Sequence, residues 1–593
     1  MLNPAQERSV RTAFDTTGKY TAVVYLHGMG SQRRYEELSR LLDSLERHAR
    51  THEATAGRLD LFEVRLEPPR GGLEREVGFV EVLRQRRAAG DRLDQELFRF
   101  YEAYWAPLAA DGATAREVLG WLLRQGASPV RALFSSWRDR ARLRRAYLHE
   151  LLGRDPGRAT ATLRDRLISM YDMFDGPAAR EMCPRGTFSE FCRFVRTRGD
   201  DTAEVLALAR EWHRFAVRRE LRNLAVILTL LLTMGLAWAG VLAAVTLLLP
   251  VLVSAVRSTS IAPLQQLVTS FTAKGALAIT GSIFTLVGVT RFLVDYLGDV
   301  LLWTTYEETD AKYRKRRAIL KTGVDYLRHV LADPDCRRAV VIGHSLGTAI
   351  AQDSLLELNR INRAAPSGTS LPLARLDHLI TLASPIDKIH YFFESYQGGR
   401  YRYNQIVEDI RGDLGTLPFT GTAGTRPVPH MHWINVWDRA DIIGGSVETP
   451  GSRSCGDLRV DNLEVSMLRF PSPGPAHSAY FEDAHVMREV FEAVFDRKGS
   501  LVEPPLDPPE TASAVRRYIG PGAGAVHTRL IQGLLMLVPW LVLAAVAVHL
   551  FARGSALRTP LTVLSTAGAL LGIGGIVLGD RIFGRRSRVG TPT

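Results

Sequence analysis

The pentapeptide Gly343-His344-Ser345-Leu346-Gly347 follows a β-branched run at 339–342 and precedes a helix-like run at 348–360. A strand, a tight turn and a helix in that order are the setting in which Gly-x-Ser-x-Gly forms a nucleophile elbow. The turn holds the serine in a strained backbone, and glycine on either side lets strand and helix close up. Ser345 is therefore expected as an exposed attacking hydroxyl at the carboxyl edge of a parallel sheet, with His344 packed beside the strand. Far upstream, the buried-strand pattern at 21–26 ends in His27-Gly28-Met29-Gly30. Glycines around Met29 leave its peptide free to aim an N–H at developing negative charge.

Two further strand-like runs lie downstream of the serine, at 379–383 and 433–437, each with aspartates at or just past its end. Asp387 follows the first; Asp438 and Asp441 follow the second. Asp441 is preferred as an acid because the apolar pair Ile442-Ile443 behind it can anchor its loop, with Asp438 next and Asp387 third. His477 sits after a proline-rich loop and before a helical run, where an imidazole can hang over a sheet edge and reach a serine hydroxyl. His485 falls inside the helical run, and His430 and His432 flank a strand, so they are weaker bases.

These motifs resemble the α/β-hydrolase superfamily, in particular its lipase and serine-esterase-like branch. The resemblance covers two blocks, 17–68 and 311–494. It implies an α/β fold with a mostly parallel sheet and catalytic groups in the order serine, acid, histidine, here Ser345, Asp441 and His477. It also implies an oxyanion hole from the Met29 and Leu346 amides, framed by the motif residues His27, Gly28, Gly30, Gly343, His344 and Gly347. The expected activity is carboxylic ester hydrolysis through an acyl-enzyme. Acyl transfer or thioester cleavage by the same triad is the alternative, and a catalytically idle scaffold is a third reading. The chain departs from the compact family plan in the long interval between the oxyanion turn and the elbow.

The chain divides into seven parts. Residues 1–68 hold the first part of the hydrolase core, 69–222 a mostly helical insertion and 223–292 a membrane insert. Residues 293–500 hold the second part of the core, 501–528 a linker, 529–580 a C-terminal transmembrane hairpin and 581–593 a basic tail. Within 69–222, the aromatic stretch 98–105 can alternatively be a strand of the hydrolase sheet, and 131–154 is a basic amphipathic stretch.

The apolar runs at 224–256, 275–290, 530–551 and 561–578 read as bilayer spans, for which about 20 apolar residues suffice. Oxyanion turn and nucleophile must meet, so the insert is expected to cross an even number of times. Arginines outside the spans then place the hydrolase domain in the cytoplasm of a multi-pass cell-membrane protein. The 1–19 segment lacks the apolar core of a signal peptide. The lipid bilayer and a hydrophobic, lipid-like ester are the expected partners.

A length of 593 residues suggests about four domain-sized units. The net charge of +12 is carried almost wholly by arginine, which beside apolar runs suits anionic headgroups better than nucleic acid. No nucleic-acid reading motif is present. The four cysteines, Cys183, Cys192, Cys336 and Cys455, form no Cys-x-x-Cys pair, and sparse cysteines fit a reducing compartment. No P-loop, dinucleotide or His-Glu-x-x-His motif is found, so neither cofactor nor metal is expected.

Overall fold

In the computed structural model, nine strands share one sheet: β1 (Tyr20–Leu26), β2 (Arg58–Glu67), β3 (Val77–Arg87), β4 (Leu93–Glu102), β5 (Cys336–His344), β6 (Leu376–Leu382), β7 (His432–Asp438), β8 (Val460–Val465) and β9 (Arg516–Tyr518). Their order is β2-β3-β4-β1-β5-β6-β7-β8-β9. The sheet is mixed. β2–β3 and β3–β4 pair antiparallel at one edge, and every pairing from β4–β1 onward is parallel. The structure describes residues 20–29, 32–87, 93–110, 112–138, 141–154, 159–198, 202–257, 297–305, 310–366, 369–396, 431–439, 441, 443–448, 460–466, 473–500, 516–519, 537, 539–541 and 543–544.

The central strands are apolar on both faces because both faces are covered. Along β1, Ala22, Val24 and Leu26 enter one hydrophobic cluster while Val23 and Tyr25 enter another. The second cluster is closed by α1 (Glu36–Thr51) and by the helix Ala484–Val494 near the end of the core.

Between β4 and β5 the chain builds a helical layer: α2 (Ala115–Phe134), α3 (Ala141–Arg154), α4 (Ala161–Asp175), α5 (Phe188–Arg196) and the long α6 (Ala203–Arg257). Threonine capping boxes start α2 and α5, with Thr114 and Thr187 each answered by a glutamate three residues on. This layer has a core of its own, in which Trp137, Tyr171 and Trp212 meet edge to face at 5.0–6.4 Å. α7 (Gly298–Thr304), α8 (Ala311–Leu331), α9 (Leu346–Ala364) and α10 (Ile386–Tyr396) return the chain to the sheet. The layer is pinned to the core through Glu220 of α6. Its two carboxylate oxygens accept from Tyr147 of α3 at 2.7 Å and Tyr391 of α10 at 3.0 Å.

Two expectations are corrected. The 69–222 interval is not helical at its start, since β3 and β4 join the sheet there. Phe98 and Phe100 fill one face of β4 while Tyr101 packs on the other, so their alternation reads as a strand.

The second correction removes the transmembrane helices from the fold, and with them the multi-pass membrane placement and the cytoplasmic orientation argued from it. Among the described residues, no helix is long and apolar enough to cross a membrane. The 224–256 run begins inside α6, and its first apolar residues are used against protein. Ile227 is buried, it and Leu231 lie 3.5–3.6 Å from where a Cβ on Gly126 of α2 would stand, and Thr229 accepts from the Trp540 indole at 3.0 Å. The runs at 275–290 and 561–578 lie outside the described residues, as does most of 530–551.

The sheet is bolted to its covering helix by a buried ion pair. Arg338 of β5 and Asp377 of β6 are both fully buried, 3.2 Å apart, and Arg338 also donates to the Val494 carbonyl. Burial alone would raise the Asp377 pKa, but His378 and Arg338 more than offset it and hold it at about 2. Arg338→Met takes the cation from a buried carboxylate that keeps His378 beside it, and is expected to cost about 3–5 kcal/mol in urea denaturation at neutral pH. Because the Asp377 pKa is depressed on folding, its contribution is complete above the ordinary carboxylate value of about 4. It fades as pH falls toward 2, so the gap between wild type and variant should narrow in acid.

Candidate active site

Ser345 stands between β5 and α9 with φ 53° and ψ −127°, a positive φ that a side chain rarely adopts. Such a conformation costs about 1–3 kcal/mol and needs its surroundings to hold it. The Ser345 N–H donates to the Leu382 carbonyl of β6 at 2.9 Å, which ties the elbow to the neighbouring strand. A Cβ on Gly347 would run into the carbonyl oxygens of Leu26 and His27 at the end of β1. A Cβ on Gly28 would lie 2.8 Å from His344 Nδ1 and 3.2 Å from Ser345 Cβ. Oxyanion turn and elbow therefore touch backbone to backbone.

His477 lies in the short helix Pro473–Ser478, before the 3₁₀ turn Ala479–Glu482. Its Nε2 is 2.7 Å from Ser345 Oγ and its Nδ1 is 2.9 Å from Asp441 Oδ2. An ionised carboxylate only accepts, so Nδ1 carries the proton and the Nε2 lone pair faces the serine hydroxyl. Asp441 is buried and well supplied with donors. Ile443 N–H reaches Oδ1 at 2.8 Å, and Tyr480 Oη donates to Oδ2 at 3.0 Å. Burial alone would raise its pKa, but His477, Lys388 and the Gly444 amide outweigh it and hold it at about 2. Lys388 of α10 donates to the Gly444 carbonyl at 2.7 Å, and its own pKa falls to about 8 through burial, against the pull of Asp441.

The turn after β1 is set by His27. Its Nε2 accepts from the Trp105 and Ala106 amides at 3.1 and 3.3 Å, so its proton sits on Nδ1 and is donated to the Gly28 carbonyl at 2.8 Å. Burial lowers its pKa, which keeps the ring neutral. With the Gly28 C=O pinned, a trans peptide turns the Met29 N–H the opposite way, so its direction is fixed. The Gly28 N–H donates to Glu37 Oε2 at 2.8 Å. Leu346 opens α9, where first-turn amides have no partner within the helix. Gly30 lies outside the described residues.

The rival candidates are placed elsewhere. Asp438 presents its N–H to Tyr480 Oη at 2.8 Å, and Asp387 accepts from the Glu448 amide at 2.9 Å. His432 pairs with Asp461 at 2.8 Å, His485 sits in the first turn of the helix capped by Asp483, and His430 lies outside the described residues. Sequence reasoning passed over Glu37, Tyr480 and Lys388. For Tyr480 a signal existed, since it follows His477 by three residues and lands one turn along. Glu37 gave none, because its partners come from other strands. Among the described residues, no cluster of His, Cys, Asp or Glu could hold a metal ion.

No protein-family model, no curated protein and no solved structure matches the chain.

Tyr480 serves two masters, donating to Asp441 and accepting from Asp438 N–H. Tyr480→Phe leaves that buried amide unpaired and is expected to cost about 1–3 kcal/mol in denaturant unfolding. Reactivity at Ser345 toward a serine-directed phosphonate should fall as well.

Proposed function

We propose that the protein is a serine hydrolase of the α/β-hydrolase type, cleaving carboxylic ester bonds through an acyl-enzyme. The observation that carries this reading is the relay from Asp441 through His477 to Ser345, at 2.9 and 2.7 Å, ending on a serine with a φ of 53°. A neutral histidine with its lone pair on a hydroxyl is what activates a weak nucleophile.

The reaction follows from the protons. His477 Nε2 takes the Ser345 proton as Oγ bonds to the acyl carbon, and the carbonyl electron pair moves onto oxygen. The Met29 and Leu346 amides receive that oxyanion, while Asp441 stabilises the imidazolium. His477 then gives its proton to the departing alkoxide as the ester C–O bond breaks. Water repeats the sequence on the acyl-enzyme, with His477 again as base, and releases the acid. A lipid-like ester is implied only by bilayer spans, so the triad supports the carboxylic ester class alone.

A fluorophosphonate probe on the full-length protein tests it. Wild type should carry the label on Ser345 by peptide mapping, and Ser345→Ala should carry none. His477→Ala should label at least about a thousandfold more slowly while still unfolding in one cooperative denaturant transition. A folded wild type that takes no label would return the chain to the idle-scaffold reading.

A further inference from the structure

His344 is the second residue of the elbow, and its buried imidazole lies between two groups that can only accept. Nδ1 is 3.2 and 3.3 Å from the two carboxylate oxygens of Glu37 in α1. Nε2 is 3.1 Å from the backbone carbonyl oxygen of His477. Glu37 Oε2 already accepts from Tyr25 Oη at 2.8 Å and from the Gly28 N–H at 2.8 Å, which favours the ionised form. A neutral imidazole has one N–H, yet this ring faces a carboxylate on one side and a carbonyl on the other.

We infer that His344 is a doubly protonated imidazolium that, with Glu37, positions the oxyanion turn and the His477 backbone in one rigid unit. The positioning half rests on the serine-hydrolase reading; the protonation state does not. Through Glu37 the cation holds Gly28, whose carbonyl side carries the Met29 amide. Through Nε2 it holds the base two bonds from its own side chain. A single buried charge pair thus sets the spacing between oxyanion hole and proton acceptor.

Other charged and titratable groups around the His344–Glu37 pair include Glu102 of β4, whose carboxyl is pushed up to about 7 by burial, with Glu37 adding to it. Tyr25 and His27 come from β1 and its turn, and Arg40 lies one turn along α1 over the Phe481 ring. From the other side come His477, with ring centroids 5.3 Å apart, and Tyr480 at 6.3 Å, with Asp441 behind them. Burial alone would lower the His344 pKa, but Glu37, the His477 carbonyl and Asp441 outweigh it and raise it. Burial pulls Glu37 the other way, and His344, Gly28 and Tyr25 hold it at about 2. Both His344 bonds are therefore complete below the ordinary histidine value of about 6.5 and persist above it. One of the two is lost as pH rises through the raised value, because a neutral ring keeps a single N–H and turns a lone pair toward either the Glu37 carboxylate or the His477 carbonyl.

The test uses full-length wild type labelled with ¹⁵N in the histidine rings, with His344→Gln serving only to assign the signal. At neutral pH both His344 nitrogens should show the shifts of protonated nitrogen, and they should keep them above the pH where a free histidine titrates. One unprotonated ring nitrogen at neutral pH would overturn the imidazolium, pointing instead to a carboxylic acid on Glu37. The positioning role is read from the rate of fluorophosphonate labelling against pH. Glu37→Gln should slow it by about tenfold to a hundredfold at neutral pH and move its alkaline limb downward. Superimposable profiles would overturn the role. A wild type that takes no label at any pH would overturn the hydrolase reading, while the ring signals would still answer the protonation question.

Discussion

The carbonyl oxygens of Leu26 and His27 fill the space where Gly347 would carry a side chain. Most of the site depends on that approach of two backbones. It exists because β1 and β5 lie side by side in parallel register, with Val24 beside Val341 and Leu26 beside Gly343. Parallel pairing delivers two strand ends to one edge of the sheet, so a turn after β1 and a turn after β5 open onto the same point. β6 and β7 reach that edge too, which explains why Leu382 accepts from the Ser345 amide and why the Asp441 loop follows Asp438. The segments after β1, β5, β7 and β8 carry Met29, Ser345, Asp441 and His477.

Buried charge is used in the same economical way. Arg338 and Asp377 lock β5, β6 and a covering helix at the far end of the strands, where nothing reactive is needed. Glu37 and His344 lock the near end, beside Ser345 and His477. Breaking either pair from one side leaves a charge in a medium that cannot solvate it, so each pair imposes geometry more than it adds net stability. The helical layer is attached by the same means. Glu220 satisfies two tyrosines from different elements, and His149 meets Glu448 at 2.7 Å beside the acid loop.

Legibility in the sequence followed distance along the chain. Ser345 was readable because strand, turn and helix fall in one short window. Asp441 and His477 could be proposed from strand ends and loop composition, although nothing local separates Asp441 from Asp438. Only the turn of the backbone decides which carboxylate faces the imidazole. Glu37 was unreadable, since its partner His344 is 307 residues away. The 224–256 run misled for a physical reason: apolar length reports that side chains leave water, not what they enter, and Ile227 is buried beside Gly126 of α2. At the start of the insertion the sequence left helix and strand both open for 98–105, and the alternation Phe98-Arg99-Phe100 goes with the strand.

The pairing of β1 with β5 also sets a clock. A ribosome adding about 5–20 residues each second needs roughly 15–60 s to advance the 307 residues from Glu37 to His344. Until then β1 has β4 on one side and an open edge on the other, with Val23, Val24 and Tyr25 uncovered. An apolar parallel strand waiting that long invites wrong partners. The helical layer is made during this wait and has its own aromatic core, so it can mature first and leave the half-sheet as the species a chaperone would meet.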